Sequence, residues 1–215
     1  VPTDAANGSL IPIRVRVRDF GGNTAERTVE IRVANGVVLD SNTTIAAGDL
    51  SLDGQTVYVR NATLTIDGPH SFANLALVGT ATLTHPAMVD GTIRRVDLDV
   101  TGGLFVACSA TIDVVGRGYP GAPAEDCTQG AFTYPGTRTN GAQGRIGGSH
   151  GGLGGSPSLP APSFYGSLFR PDLPGGGGGC LTTVAGGSGG GVVALRSLDR
   201  IDIDGQLRAT GGLGS

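Results

Sequence analysis

Four short runs of this chain read almost alike, and their recurrence constrains the fold more than any other feature. Ala62-Thr63-Leu64-Thr65-Ile66-Asp67-Gly68 returns nineteen residues later as Ala81-Thr82-Leu83-Thr84-His85-Pro86. It returns again as Ala110-Thr111-Ile112-Asp113-Val114-Val115-Gly116 and as Arg200-Ile201-Asp202-Ile203-Asp204-Gly205. Each run alternates apolar and polar residues but is too short to bury its own apolar side. Stacked coils about 4.8 Å apart would bury these side chains in one column and pair each backbone with its neighbours. Recurrence at such a spacing marks a solenoid. We expect Leu64, Leu83, Ile112 and Ile203 to lie one above another.

The rest of the first half fits this reading. Alternation predicts strands over 37–39, 43–45, 50–52, 56–59, 62–66, 71–78, 81–84, 95–100, 104–107 and 111–115. No stretch longer than one turn carries a helical period, so the class is all-β. A β-sandwich would want two-residue hairpin turns such as Asn-Gly, and 37–118 contains no Asn-Gly. Three runs, Val-Val-Ala-Leu, Arg-Ile-Asp-Ile-Asp and Gln-Leu-Arg-Ala, the second of them the last recurrence above, fall within 192–209 and read as a returning coil. The expected organisation is the end of a sandwich over 1–35 and solenoid coils over 36–118. A Gly/Pro-rich insertion over 119–191 and the returning coil over 192–215 follow, the last continuing into further sequence.

The first segment has its own signature. Ile13, Val15 and Val17 alternate with Arg14, Arg16 and Arg18, and Thr28 to Val33 alternates likewise around a turn-forming Asp19-Phe20-Gly21-Gly22-Asn23-Thr24-Ala25. This predicts an antiparallel hairpin. Its Val17, Asp19, Gly22, Asn23 and Ala25 resemble the last two strands of bacterial immunoglobulin-like and cadherin-like repeats. That resemblance implies a calcium role for Asp19 and Asn23. The simpler reading of both is as turn formers that bond their own backbone.

Glycine divides the chain. Of 39 glycines, 28 lie from Gly116 onward, and eight of the twelve prolines fall between Pro120 and Pro174. Such a tract reads as a long loop with no strand signal and no hydrophobic core. Its cysteines argue for order. A Cys127–Cys180 bond would close a loop worth about 4 kcal/mol of chain entropy, against about 3 for Cys108–Cys127. We expect the former, with Cys108 a buried thiol in a coil.

The order of motifs from Ile112 onward is informative. Gly147-Gly148-Ser149-His150-Gly151-Gly152, Tyr165-Gly166, Pro174-Gly175-Gly176-Gly177-Gly178, Gly186-Gly187-Ser188-Gly189-Gly190-Gly191 and Ile203-Asp204-Gly205 follow in turn. The series resembles a glycine-rich module of very large secreted and cell-surface bacterial proteins. The resemblance implies a right-handed parallel β-helix with a decorated side loop, adhesin-like or structural, with no catalytic residues carried over.

Charge narrows the functional classes. Fifteen arginines, no lysine and eighteen acidic residues give −3, without the basic surplus of a nucleic-acid binder. No apolar run reaches the roughly 20 residues of a membrane helix. Asp97 and Asp99 alternate with Val96, Leu98 and Val100 on an outer face, where they would hold calcium, serve as acid and base, or simply meet solvent. His70 and His85, each beside a proline, read as exposed turn residues, and Ser149-His150 lacks an acidic orienter. Tyr119, Tyr134 and Tyr165 are candidates for carbohydrate stacking. The leading expectation is a non-enzymatic structural or adhesive rod of an extracellular bacterial surface protein that needs no cofactor, calcium aside. Its partners would be neighbouring domains, a cell-surface glycan or identical subunits. Alternatives are a polysaccharide-lyase-like β-helix using Asp97, Asp99, Asp113 and Arg117, and a building block of a filament or toxin shell.

Overall fold

The computed structural model describes residues 6, 9–155, 163–167 and 169–214. Parts of the sandwich-end assignment, of the insertion and of the returning coil, at 1–5, 7–8, 156–162, 168 and 215, lie outside the described residues. The described residues contain no helix, and the chain divides into two compact units, Val1–Val37 and Val38–Ser215.

The first unit is built on β1 (Leu10–Arg18) and β2 (Thr24–Arg32), an antiparallel pair in which Ile13 faces Val29 and Val17 faces Ala25. The turn forms because Asn23 donates its backbone N–H and its side-chain amide to the two Asp19 carboxylate oxygens, at 2.8 and 2.9 Å. Gly22, at φ +87°, supplies the left-handed residue the turn needs. Ile13, Val15, Val17 and Val29 are exposed.

The second unit is a β-solenoid. Its strands are β3 (Val37–Leu39), β4 (Thr43–Ile45), β5 (Thr56–Arg60), β6 (Thr63–Ile66), β7 (Gly68–Phe72), β8 (Asn74–Val78), β9 (Thr82–Thr84), β10 (Val96–Val100), β11 (Leu104–Val106), β12 (Thr111–Asp113), β13 (Val193–Ser197), β14 (Ile201–Ile203) and β15 (Gln206–Arg208). They form three parallel sheets, ordered β13-β10-β7, β14-β11-β8-β5-β3 and β15-β12-β9-β6-β4. The three coils β5 to β7, β8 to β10 and β11 to β13 each contribute in turn to all three, and the outermost pairs, β3-β4 and β14-β15, to two. Alternation puts one face of every strand inward. Val57, Leu75 and Leu104 stack in one column, and Leu64, Leu83 and Ile112 in another, all essentially inaccessible to solvent. Burying each such side chain contributes about 1.5–3 kcal/mol. Asparagines at the corners tie coil to coil. Asn74 accepts from Gly103 N–H and donates to Thr56, and Asn42 and Asn61 accept from Thr63 and Thr80 N–H.

Three expectations about strands need correction. Residues 50–52 form a turn, held by Asp49 accepting the Ser51 N–H. The run 71–78 is two strands, because the chain turns a corner at Ala73. Ile203 pairs with Val106 in the second sheet, and Leu207 completes the column of Leu64, Leu83 and Ile112. The motif around Ile203 carries the right alternation but sits one corner too early.

Coils differ in length by a residue or two at the other corners and by far more at one. Partners on adjacent coils are 18 residues apart between β5 and β8, 29 between β8 and β11, and 97 between β10 and β13. From β6 to β7 the chain turns through Asp67 alone. From β9 to β10, and from β12 to β13, it makes an excursion at that same corner. The short excursion abuts the long one: a Cβ on Gly91 would lie 2.3 Å from the Gly136 carbonyl oxygen.

The long excursion overturns the expectation of a coreless loop. Its core is peptide backbone. Tyr119 N–H donates to Gly175 C=O, Gly175 N–H to Gly190 C=O, and Gly189 N–H to Tyr119 C=O, at 3.0, 2.9 and 2.9 Å. Three residues along, Ala122 donates to Gly178, Gly178 to Gly187 and Gly186 to Ala122, each at 2.9 Å. A hydrogen-bond pattern repeating every three residues between extended chains is that of packed polyproline-II-type segments, which have three residues per turn. The segments around 119–122 and 175–178 run parallel, and the third runs opposite. A Cβ on Gly121, Gly186 or Gly189 would stand 1.9 Å from a neighbouring carbonyl oxygen. Glycine is required here by close approach, not by φ. The residues after β15 join the bundle, Gly212 donating to Ser188 C=O and Thr210 C=O accepting from Gly116. A Cys127–Cys180 disulfide pins its far side, beside buried Ala122, Ala131, Ala142 and Ile146. Cys108 is exposed in the turn after β11, not buried in a coil.

Candidate functional site

Two groupings of polar and aromatic residues stand out, one on each part of the second unit. On the solenoid, β10 sends Val96, Leu98 and Val100 inward, so Asp97 and Asp99 face outward. Parallel stacking sets Arg196 of β13 directly beside Asp99. Its guanidinium donates to Asp99 at 2.5 Å and to Asp97 at 2.6 Å, and Arg95 meets Asp97 from the other side at 2.6 Å. Asp97 is thereby buried beneath two arginines. The Arg196 hydrogen bonds hold the Asp99 carboxyl below its usual range, and Asp99, then Asp97, push the guanidinium upward.

Asp113 lies on a different sheet, paired with Arg208 at 3.2 Å and accepting the Val115 N–H. Of the four residues considered for lyase-type chemistry, Asp113 is thus on a different sheet from Asp97 and Asp99, Arg117 lies past the end of β12, and each aspartate is engaged by arginine. Among the described residues, no three His, Cys, Asp or Glu side chains gather as a metal-binding group. Asp19 spends both oxygens on Asn23, whose side-chain hydrogen bond lowers its pKa.

The histidines are not exposed turn residues. His70 takes an inward position in the column of Leu98 and Leu195, with Nδ1 3.0 Å from Asp53. His85 is fully buried where β9 leaves the stack. Its Nδ1–H donates to Pro86 C=O at 2.8 Å, and burial pushes its pKa down. The adjacent prolines suggested a turn, but the alternation of the strand decides which way each ring points. Ser149 Oγ accepts the Gly154 N–H, and the neighbouring His150 ring packs edge-on against Tyr165, 5.3 Å between centroids.

That contact belongs to the second grouping. Tyr119, Tyr134 and Tyr165, far apart in sequence, meet on the glycine bundle. Tyr134 and Tyr165 are stacked, with centroids 5.7 Å apart and planes 24° from parallel. Tyr119 meets Tyr165 edge-on at 6.2 Å. Tyr165 donates its hydroxyl to Pro174 C=O at 2.7 Å, and burial raises its pKa, as it does for Tyr119. Tyr119 is wholly buried, its hydroxyl without a protein partner, whereas Tyr134 is 46% exposed. The exposed side opens on a cavity of about 310 Å³. Thr133, Thr137, Thr139, Asn140 and Ser163 supply its polar wall, and Phe164 joins the two tyrosines. The loop is closed by Thr133 and Thr137, each donating its backbone N–H to the other's carbonyl, around a cis Tyr134–Pro135 bond.

Comparison of the chain with protein-family models, with curated proteins and with solved structures found no match. The parallel solenoid, the antiparallel hairpin and the disulfide thus rest on the structure itself. The disulfide fits an oxidising, extracytoplasmic environment.

Proposed function

We propose that this chain is a non-enzymatic structural module of a large extracellular bacterial surface protein. In this reading the solenoid is a rigid rod and the glycine bundle a platform carried on its side. The observation that carries the reading is the way the polar exterior is used. Asp67, Asp97, Asp99 and Asp113 each meet an arginine, namely Arg94, Arg95 or Arg196, Arg196 and Arg208. Arg196 and Arg208 come from the coil next in the stack, so these pairs knit coil to coil. A catalytic carboxylate pair would need open approach to substrate and opposed pKa values. The glycine-rich motif order and the disulfide support a surface location.

The test is turnover against uronate-containing and neutral polysaccharides, read by unsaturated or reducing product. The rod reading expects none with the intact chain. Turnover lost in Asp97→Asn and Arg196→Ala would replace it with the lyase reading.

A further inference from the structure

We propose that the cavity over Tyr134 and Tyr165 is a binding site for a neutral saccharide. This goes beyond the rod reading and does not rest on it. Three observations point the same way. The first is a flat aromatic floor held from behind. Tyr165 is fixed by stacking on Tyr134, by the edge of Tyr119, by the His150 ring and by its hydroxyl bond to Pro174 C=O. Tyr134 keeps nearly half its surface in solvent. A sugar ring presents a face of C–H groups, and a preorganised aromatic plane offers that face burial without loss of side-chain freedom.

The second is the wall. Thr137, Thr139, Asn140 and Ser163 bring hydroxyl and amide groups, each able to donate and accept, as sugar hydroxyls require. The third is the charge. Among the described residues, no acidic or basic side chain lines the cavity. The nearest basic residue in sequence, Arg138, donates to Gly130 C=O and lies over the Phe132 ring, 4.3 Å from its centroid. A phosphate, sulfate or uronate would find no cation in the lining. The volume, about 310 Å³, sits at the small end of ligand sites, roughly 300–1,000 Å³. That suits a terminal mono- or disaccharide rather than a long chain lying in a groove.

The experiment uses the intact, oxidised chain against neutral glycans (glucose, galactose, mannose and N-acetylglucosamine oligomers) and against uronate and sialylated ones. Binding is read by tyrosine fluorescence and by saturation-transfer NMR, with melting temperature as the fold control. A neutral glycan is expected to bind, with its ring C–H protons saturated most strongly. Tyr134→Ala should weaken it by about tenfold or more, and Asn140→Ala by about fivefold. Tyr134→Phe, which keeps the stacking face, should retain binding. Three results would each overturn the proposal: no neutral glycan binding at millimolar concentration, equal binding by a folded Tyr134→Ala chain, or binding confined to acidic glycans.

Discussion

The solenoid and the glycine bundle belong to one compact unit but are packed with opposite materials. In the solenoid, Leu64, Leu75, Leu98 and Ile112 are inaccessible and the peptide groups pair between coils. In the bundle the peptide groups occupy the interior themselves, and a single methyl at Gly121 or Gly186 would meet a carbonyl oxygen at 1.9 Å. Side chains can rotate and repack, so an aliphatic core tolerates exchange of similar volumes. Backbone cannot, and the bundle should tolerate almost none.

The sharpest break of this contrast is Gly186→Val. It should cost more than about 4 kcal/mol and dismantle the bundle while the coils remain, as read by hydrogen exchange over the two regions. Gly152→Val is the matched control. Nothing lies within 4 Å of its Cβ position, and its melting temperature should not move. Reducing Cys127–Cys180, which closes a separation of 53 residues, comes next. It should remove about 4 kcal/mol, with protection lost in the bundle and kept in β5 to β12. Leu83→Ala, at an inaccessible position, should cost about 2–5 kcal/mol by denaturant unfolding and release the coils first.

Smaller effects probe the join between the two regions. His85 is buried where the first excursion starts, and a Cβ on Gly191 of the bundle would lie 2.3 Å from its Nε2. Because its folded pKa is lowered, the unfolded chain takes up this proton more readily. Stability should therefore be full above the ordinary value of 6.5 and fall as pH drops below it. His85→Gln should flatten that slope in melts between pH 7 and 5. Arg196→Ala should cost at most about 1 kcal/mol, because the side chain is half exposed and Arg95 still meets Asp97.

The two regions were also unequally legible in the sequence. Alternation of apolar and polar residues locates most coil strands, because side chains report which way a strand faces. It does not report which corner comes next, so the motif at Ile203 is read one sheet away from its place, while Leu207 takes the column. The bundle leaves no such trace. A segment with a three-residue repeat and no side chains has nothing to alternate, and its order shows only as an excess of glycine. The tyrosine site was legible as three residues and not as a place. Tyr119, Tyr134 and Tyr165 are joined by the folding of the bundle, which no spacing in the chain announces. His70 and His85 carry conflicting signals for a related reason, since proline next door says turn while burial follows the strand.

Both excursions leave from one corner, between β9 and β10 and between β12 and β13, while the coil beneath makes that bend with Asp67 alone. A bend that accepts one residue or some eighty without shifting the register of the strands on either side is a socket for grafting. New decoration can be spliced in there at no expense to the trunk, and successive grafts land on one flank, where they touch and brace each other.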